Sequence, residues 1–141
     1  FKNRPNFIKT SAAPNRDPDF IDNTVTLPQS ALLYRLCGDM NPLHADPEVA
    51  KKAGFDGPIL HGRCTMGIAI RSLIANCCNY DATKLTQISV RFSSPFLPGA
   101  SLSTRIWREQ NDLYFESFDL ESGTKVLSNG YATLIDSKKD D

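Results

Sequence analysis

The sequence lacks the features that mark several large classes of protein. Its 141 residues contain sixteen Lys and Arg against sixteen Asp and Glu, so the formal net charge is zero. Proteins that bind duplex DNA need a clear basic excess, so we expect no nucleic-acid partner. The longest apolar stretch, residues 64–78, is interrupted by Arg71 and Asn76. It is shorter than the roughly 20 apolar residues of a membrane span, so we expect none.

The pattern of cysteines excludes two further classes. The sequence has four cysteines and no C-x-x-C pair, which argues against a zinc ribbon and a thioredoxin-like site. We expect buried free thiols in a reducing compartment. A catalytic cysteine paired with His44 or His61, the only two histidines, stays open as an alternative.

What is present is the composition of one globular domain. Hydrophobic residues make up 40% of the chain and charged residues 23%, which is ordinary for a soluble protein of this length. Residues 1–20 hold three prolines and little periodicity, which predicts an extended lead-in or linker. We expect the domain to cover residues 21–137 and a polar tail to cover 138–141.

The hydrophobic periodicity predicts helices first and strands afterwards. The predicted elements are a strand over 24–27, helices over 30–36, 47–53 and 61–78, and strands over 88–92, 102–107, 113–120 and 126–135. Apolar residues surround most of the circumference of the long helix over 61–78, so we expect it to be buried on most sides. A meander of about four antiparallel strands around one helix is an α+β architecture.

A dense polar turn, residues 38–44, holds the first candidate for chemistry. Pro42 lacks an N–H and biases Asn41 towards an extended backbone, so we expect no α-helix between Asp39 and His44. A fixed turn can aim a carboxylate and an imidazole at one water molecule, where one accepts a proton and the other donates one. Asn41 can orient the pair. The alternative is that Asp39 only stabilises the turn.

The start of the long helix holds a second candidate. The first amides of a helix have no partners inside it and lie at the positive end of its dipole. Gly62 has no side chain to block approach, so its N–H is a candidate donor to a carbonyl oxygen that gains negative charge. The alternative is that Gly62 only permits close packing.

A metal site is a third possibility. The triplet His44-Ala45-Asp46, with His61 as a second imidazole, has the residue types of a non-haem iron site. Asp46, however, is followed by Pro47 and Glu48, which is typical of a helix N-cap. We therefore expect no metal.

Four segments together resemble a known family. They are residues 34–44 (YRLCGDMNPLH), 53–55 (AGF), 58–62 (PILHG) and 90–99 (VRFSSPFLPG). The first closely resembles the hydratase 2 motif of the MaoC-like (R)-specific enoyl-CoA hydratases, and the resemblance extends over residues 20–136. The similarity is strongest to the second of the two repeats in eukaryotic members.

The resemblance implies a fold, a reaction and a set of residues. The fold is a hot dog, in which an antiparallel β-sheet wraps around a long central helix. The reaction is reversible syn addition of water to a trans-2-enoyl-CoA in fatty acid β-oxidation. Asp39 and His44 hold the water and exchange protons, Asn41 positions the pair, and the Gly62 N–H binds the thioester oxygen. Asn41, Gly62 and Phe92 contact the substrate, and no cofactor is needed because the coenzyme A thioester is the substrate.

The family also implies partners and two alternative functions. A second hot-dog subunit, or a missing N-terminal repeat, is expected to complete the substrate site. Peroxisomal localisation is implied, although the chain ends Lys138-Lys139-Asp140-Asp141 without a targeting tripeptide of the Ser-Lys-Leu type. A non-catalytic acyl-CoA-binding module and a hot-dog thioesterase stay open as alternatives.

Overall fold

The structure, a computed structural model, describes residues 11–135. The first ten residues of the expected lead-in and the whole expected polar tail, residues 138–141, lie outside that range. The helices and strands are β1 (Phe20–Val25), α1 (Ser30–Tyr34), α2 (Pro47–Lys52), α3 (Gly62–Cys77), β2 (Leu85–Phe92), β3 (Ser101–Glu109), β4 (Asp112–Asp119) and β5 (Lys125–Leu134). Short 3₁₀ turns cover Arg35–Cys37, Pro42–His44 and Ala82–Lys84.

The five strands form one antiparallel sheet in the order β1-β3-β4-β5-β2. The expected meander holds for β3, β4 and β5, which are joined by tight turns. It is wrong for β2, which pairs with β5 at the far edge of the sheet. The reason is the connection from β2 to β3, residues 93–100, which contains Pro95, Pro98 and Gly99. It is longer than a two-residue hairpin turn, and β1 occupies the place beside β3 instead.

Helix α3 packs on one face of this sheet. Ala69 and Leu73 of α3 are fully buried against Leu102, Ile106 and Phe115 of the strands. This confirms an antiparallel sheet around a long helix, the hot-dog architecture that the resemblance implies.

The expectation that α3 is buried on most sides is wrong. Arg63, Gly67 and Arg71, spaced four residues apart, form an exposed stripe along the helix. The sheet covers only one side of α3, so the opposite side faces solvent.

The segment before β1 is attached to the other face of the sheet. Trp107 donates its indole N–H to the Arg16 carbonyl at 2.8 Å, and Ala13 packs against the aromatic cluster that contains Trp107. The Asp19 carboxylate accepts the Arg108 backbone N–H at 2.7 Å. Its pKa is lowered by hydrogen bonds from Arg16 and from that amide. The described part of the predicted lead-in, residues 11–20, is therefore bound to the sheet, and β1 begins at its last residue.

Candidate active site

The polar turn between α1 and α2 is built by its own side chains. Gly38 takes a left-handed φ of 111°, which ends the 3₁₀ turn over Arg35–Cys37 and reverses the chain. The Asn41 N–H donates to the Asp39 carboxylate at 3.3 Å, and the Asn41 side-chain oxygen accepts the Leu43 N–H at 3.0 Å. The turn contains no α-helix, as the sequence predicts. Asn41 thus links Asp39 to the 3₁₀ turn that carries the histidine.

His44 is held in one tautomer by its partner. The side chain is 8% exposed, and its Nδ1 lies 2.8 Å from the Ile59 carbonyl oxygen. A carbonyl only accepts, so Nδ1 carries the hydrogen and, in the neutral ring, Nε2 is a bare proton acceptor. This leaves His44 with the free nitrogen that a general base needs.

His61 belongs to the same cluster. Its Nε2 lies 3.2 Å from the Asp39 carbonyl oxygen, so by the same argument Nε2 donates. Its ring stacks on that of His44 with centroids 3.7 Å apart and planes at 23°, and the Tyr34 ring lies 4.8 Å away on a tilted plane. The sequence predicted that His61 precedes the amide donor, and it left His61 open as a second imidazole of a metal site or as the partner of a cysteine. Nothing local in the sequence signals its contacts with two residues about 20 positions earlier.

The structure therefore brings the predicted acid–base pair together and adds one imidazole to it. Donor atoms of Asp39, His44 and His61 all lie within 4.8 Å of one another. The Asp39 carboxylate is exposed whereas both rings are buried. A water molecule or substrate can thus reach the cluster from the Asp39 side.

The structure changes the set of residues that could bind a metal ion. Asp46 is an N-cap that accepts the Glu48 N–H at 2.9 Å and the Val49 N–H at 3.4 Å, so its carboxylate is engaged in starting α2. The remaining donors come from Asp39, His44 and His61. His44 Nδ1 and His61 Nε2 are bonded to backbone carbonyls, which leaves one nitrogen on each ring as a possible ligand. We continue to predict that the site binds no metal ion.

Gly62 lies where the sequence places it, at the first position of α3. His61 before it is extended, with φ −57° and ψ 134°, so the Gly62 N–H begins the helix without a carbonyl partner inside it. A Cβ at Gly62 would come within 3.2 Å of the Phe92 ring. The amide and that ring therefore share one side of the site.

A pocket of about 330 Å³ opens beside Gly62. Its lining is mostly apolar and consists of Phe55, Ile59, Leu60, Gly62, Thr65, Phe92, Ser93, Ser94, Pro95, Phe96, Val126 and Leu127. Phe92 is 52% exposed. The structure thus places Phe92 on an apolar pocket next to the candidate amide, and its contact with substrate stays a prediction.

Three of the four cysteines do not fit a nucleophilic site. Burial raises the pKa of the Cys64 and Cys78 thiols, and it raises that of Cys77 to about 11. These three are therefore protonated at neutral pH, and a thiol is a much weaker nucleophile than a thiolate. The expectation of buried thiols is confirmed for Cys78, whereas Cys64 and Cys77 are only half-buried. It is wrong for Cys37, which is exposed beside Asp39 in a second pocket of about 400 Å³.

Comparison with known proteins agrees with this geometry. Peroxisomal multifunctional enzyme type 2 of Mus musculus is 44% identical over 124 residues, covering 88% of this chain and 17% of the mouse protein. Peroxisomal enoyl-CoA hydratase 2 of Arabidopsis thaliana is 45% identical over 121 residues, covering 86% of this chain and 39% of the plant protein. The chain thus spans less than half the length of these curated relatives.

A solved structure and a family model complete the comparison. Full-length peroxisomal multifunctional enzyme type 2 from Drosophila melanogaster matches with a TM-score of 0.90 at 37% identity, covering 95% of this chain and 25% of that chain. The model of the MaoC like domain matches residues 9–130, which include every candidate site residue. The resemblance found in the sequence is confirmed, and the chain belongs to the MaoC-like family, with its hot-dog fold.

Proposed function

We propose that the protein catalyses reversible hydration of trans-2-enoyl-CoA thioesters to (3R)-3-hydroxyacyl-CoA in fatty acid β-oxidation. The observation that carries the proposal is the joining of Asp39 and His44 in one cluster beside the first amide of α3. Relatives of 44–45% identity are named as a peroxisomal multifunctional enzyme and an enoyl-CoA hydratase 2, which supports the same reaction class.

Each group has a task in this reaction. Water bonds to C3 of the enoyl group, and electron density moves onto the thioester oxygen, which the Gly62 N–H binds. His44 Nε2 and the Asp39 carboxylate take one proton from the water, and the pair delivers one proton to C2 on the same face. The pair ends with as many protons as it began with, so it is regenerated in each turnover, and the addition is syn because the hydroxyl and the proton arrive on one face.

The pocket beside Gly62 suits the acyl part of the substrate. Its apolar wall can bury a short hydrocarbon chain, and the position of Phe92 in that wall beside Gly62 supports a contact with the acyl chain. Asn41 contributes a long hydrogen bond of 3.3 Å from its backbone N–H to the Asp39 carboxylate. The coenzyme A part of the thioester carries the acyl group, and none of its own bonds forms or breaks in the reaction.

We also infer that a second hot-dog unit completes the protein, supplied by another subunit or by an N-terminal repeat. The chain covers 25% of the Drosophila structure and 39% of the Arabidopsis protein, so it matches one portion of larger molecules. Peroxisomal localisation follows by analogy with these relatives. In the part of the chain that the structure describes, no helix is long and apolar enough to cross a membrane.

Incubation with crotonyl-CoA tests the proposal and separates it from its alternatives. We expect enoyl absorbance to fall without release of free thiol, and the product to be the (3R)-hydroxyacyl thioester. Release of free thiol would instead identify a thioesterase. Binding of the thioester with neither change would identify a non-catalytic acyl-CoA-binding module, and either outcome would refute the hydratase.

A further inference from the structure

We propose that His61 is a positioning residue that holds both members of the acid–base pair, His44 through its ring and Asp39 through its backbone. The proposal rests on the proposed function, because it assigns to His61 the task of orienting those two groups. His61 is 2% exposed and does not line the apolar pocket beside Gly62. It therefore acts on the reaction through its neighbours rather than through the substrate.

The first contact fixes the plane of the His44 ring. The hydrogen bond from Nδ1 to the Ile59 carbonyl anchors one corner of that ring but leaves it able to tilt about the bond. The His61 ring, stacked 3.7 Å away, blocks the tilt towards its side. His61 is itself backed by the Tyr34 ring at 4.8 Å. The stack thus sets the direction in which His44 Nε2 points.

The second contact fixes the backbone that carries the carboxylate. The Asp39 side chain is exposed, and the hydrogen bond that holds it runs to the Asn41 N–H at 3.3 Å, near the limit of a useful bond. Its position therefore depends on its own backbone. The His61 Nε2–H bond to the Asp39 carbonyl ties that backbone to the start of α3, 22 residues later in the chain.

The second ring nitrogen of His61, Nδ1, bears on why this position is a histidine. His61 Nδ1 is buried and has no hydrogen-bond partner among the described residues, 11–135. An unpaired buried acceptor destabilises the fold, and native proteins keep few such groups. His61 stacks on His44 and donates from Nε2, and a phenylalanine ring of similar size could do only the first.

Three substitutions separate the two contacts. His61→Gln can keep a donor to the Asp39 carbonyl and loses the ring; His61→Phe keeps the ring and loses the donor; His61→Leu loses both. Misplacement of catalytic groups by about 1 Å can cost on the order of 100-fold in rate. We expect kcat for crotonyl-CoA to fall about tenfold in each of the first two and about 100-fold in His61→Leu, with KM changed less than about threefold.

Leu73→Ala is the matched control. Leu73 is fully buried in α3, the helix that His61 precedes, and it does not line the pocket beside Gly62, so its truncation lowers Tm and leaves the pocket wall in place. We expect Leu73→Ala to keep the wild-type kcat despite its lower Tm. A kcat for His61→Leu within about twofold of wild type, or a loss that appears as a raised KM, would overturn the proposal. If His61→Leu does not fold, His61→Gln and His61→Phe decide it by the same criteria.

A second readout does not depend on hydratase activity. Long-range ¹H–¹⁵N spectra of the two imidazoles should give the Nε2–H tautomer for His61 and the Nδ1–H tautomer for His44. An Nδ1–H tautomer at His61 would overturn the proposal even in an active enzyme. Assigned tautomers in a protein that does not hydrate crotonyl-CoA would refute the proposed function alone.

Discussion

At the scale of single residues, backbone carbonyls decide which imidazole nitrogens are available for chemistry. His44 Nδ1–H donates a hydrogen bond to the Ile59 carbonyl, and His61 Nε2–H donates one to the Asp39 carbonyl. His44 is thereby left with a bare Nε2 inside a cluster whose third member is a carboxylate. In the proposed reaction, His44 exchanges protons and His61 orients its neighbours.

The amide of Gly62 can be removed with little disturbance to the helix. Gly62→Pro deletes the N–H at the first helical position, where proline is tolerated, and the extended His61 (ψ 134°) suits a following proline. Gly62→Ala keeps the N–H but adds the same Cβ near Phe92. We expect kcat for crotonyl-CoA to be about 10²–10³-fold lower in Gly62→Pro than in Gly62→Ala. Equal rates in the two variants would show that the amide does not bind the developing oxyanion.

At the scale of elements, the short helix α2 positions the polar turn from its far side. Its N-cap, Asp46, follows His44 by two residues and bonds the first free amides of α2. We expect Asp46→Ala to destabilise the protein by about 1 kcal/mol while kcat stays within about threefold of wild type. Chemical denaturation and a crotonyl-CoA assay measure both. A loss of turnover comparable to that of His44→Ala would instead favour a metal site that uses His44 and Asp46 as ligands.

The helices and strands also show how much of the fold can be predicted from the sequence alone. The start of α2, the long helix and the strands β3 to β5 could be predicted because caps, periodicity and tight turns are local signals. The pairing of β2 with β5 and the stack of His61 on His44 could not, because both depend on contacts distant in sequence. The turn from Asp39 to His44 could be predicted only in part. Its backbone shape is set by neighbouring residues, whereas the direction of the His44 ring is set by Ile59 and His61.

At the scale of the whole molecule, the exposed apolar surface favours a second unit. Large apolar side chains on and beside α1 are about half exposed or more, namely Leu27, Leu32, Leu33, Leu36 and Met40. Such clusters mark interaction surfaces in soluble proteins. We expect the 141-residue chain to form dimers, with a mass by light scattering of about twice its 15.6 kDa. A monomer at micromolar concentration would contradict self-association and leave a fused repeat as the inferred partner.

The central claim is that Asp39 and His44 act as one acid–base unit. The direct measurement is kcat for crotonyl-CoA hydration in Asp39→Asn, His44→Ala and the double variant, with circular dichroism to confirm folding. Groups that act together are strongly non-additive, so we expect each single variant to lose about 10²–10⁴-fold and the double variant little more. Folded single variants that keep wild-type kcat, or losses that multiply in the double variant, would contradict the claim.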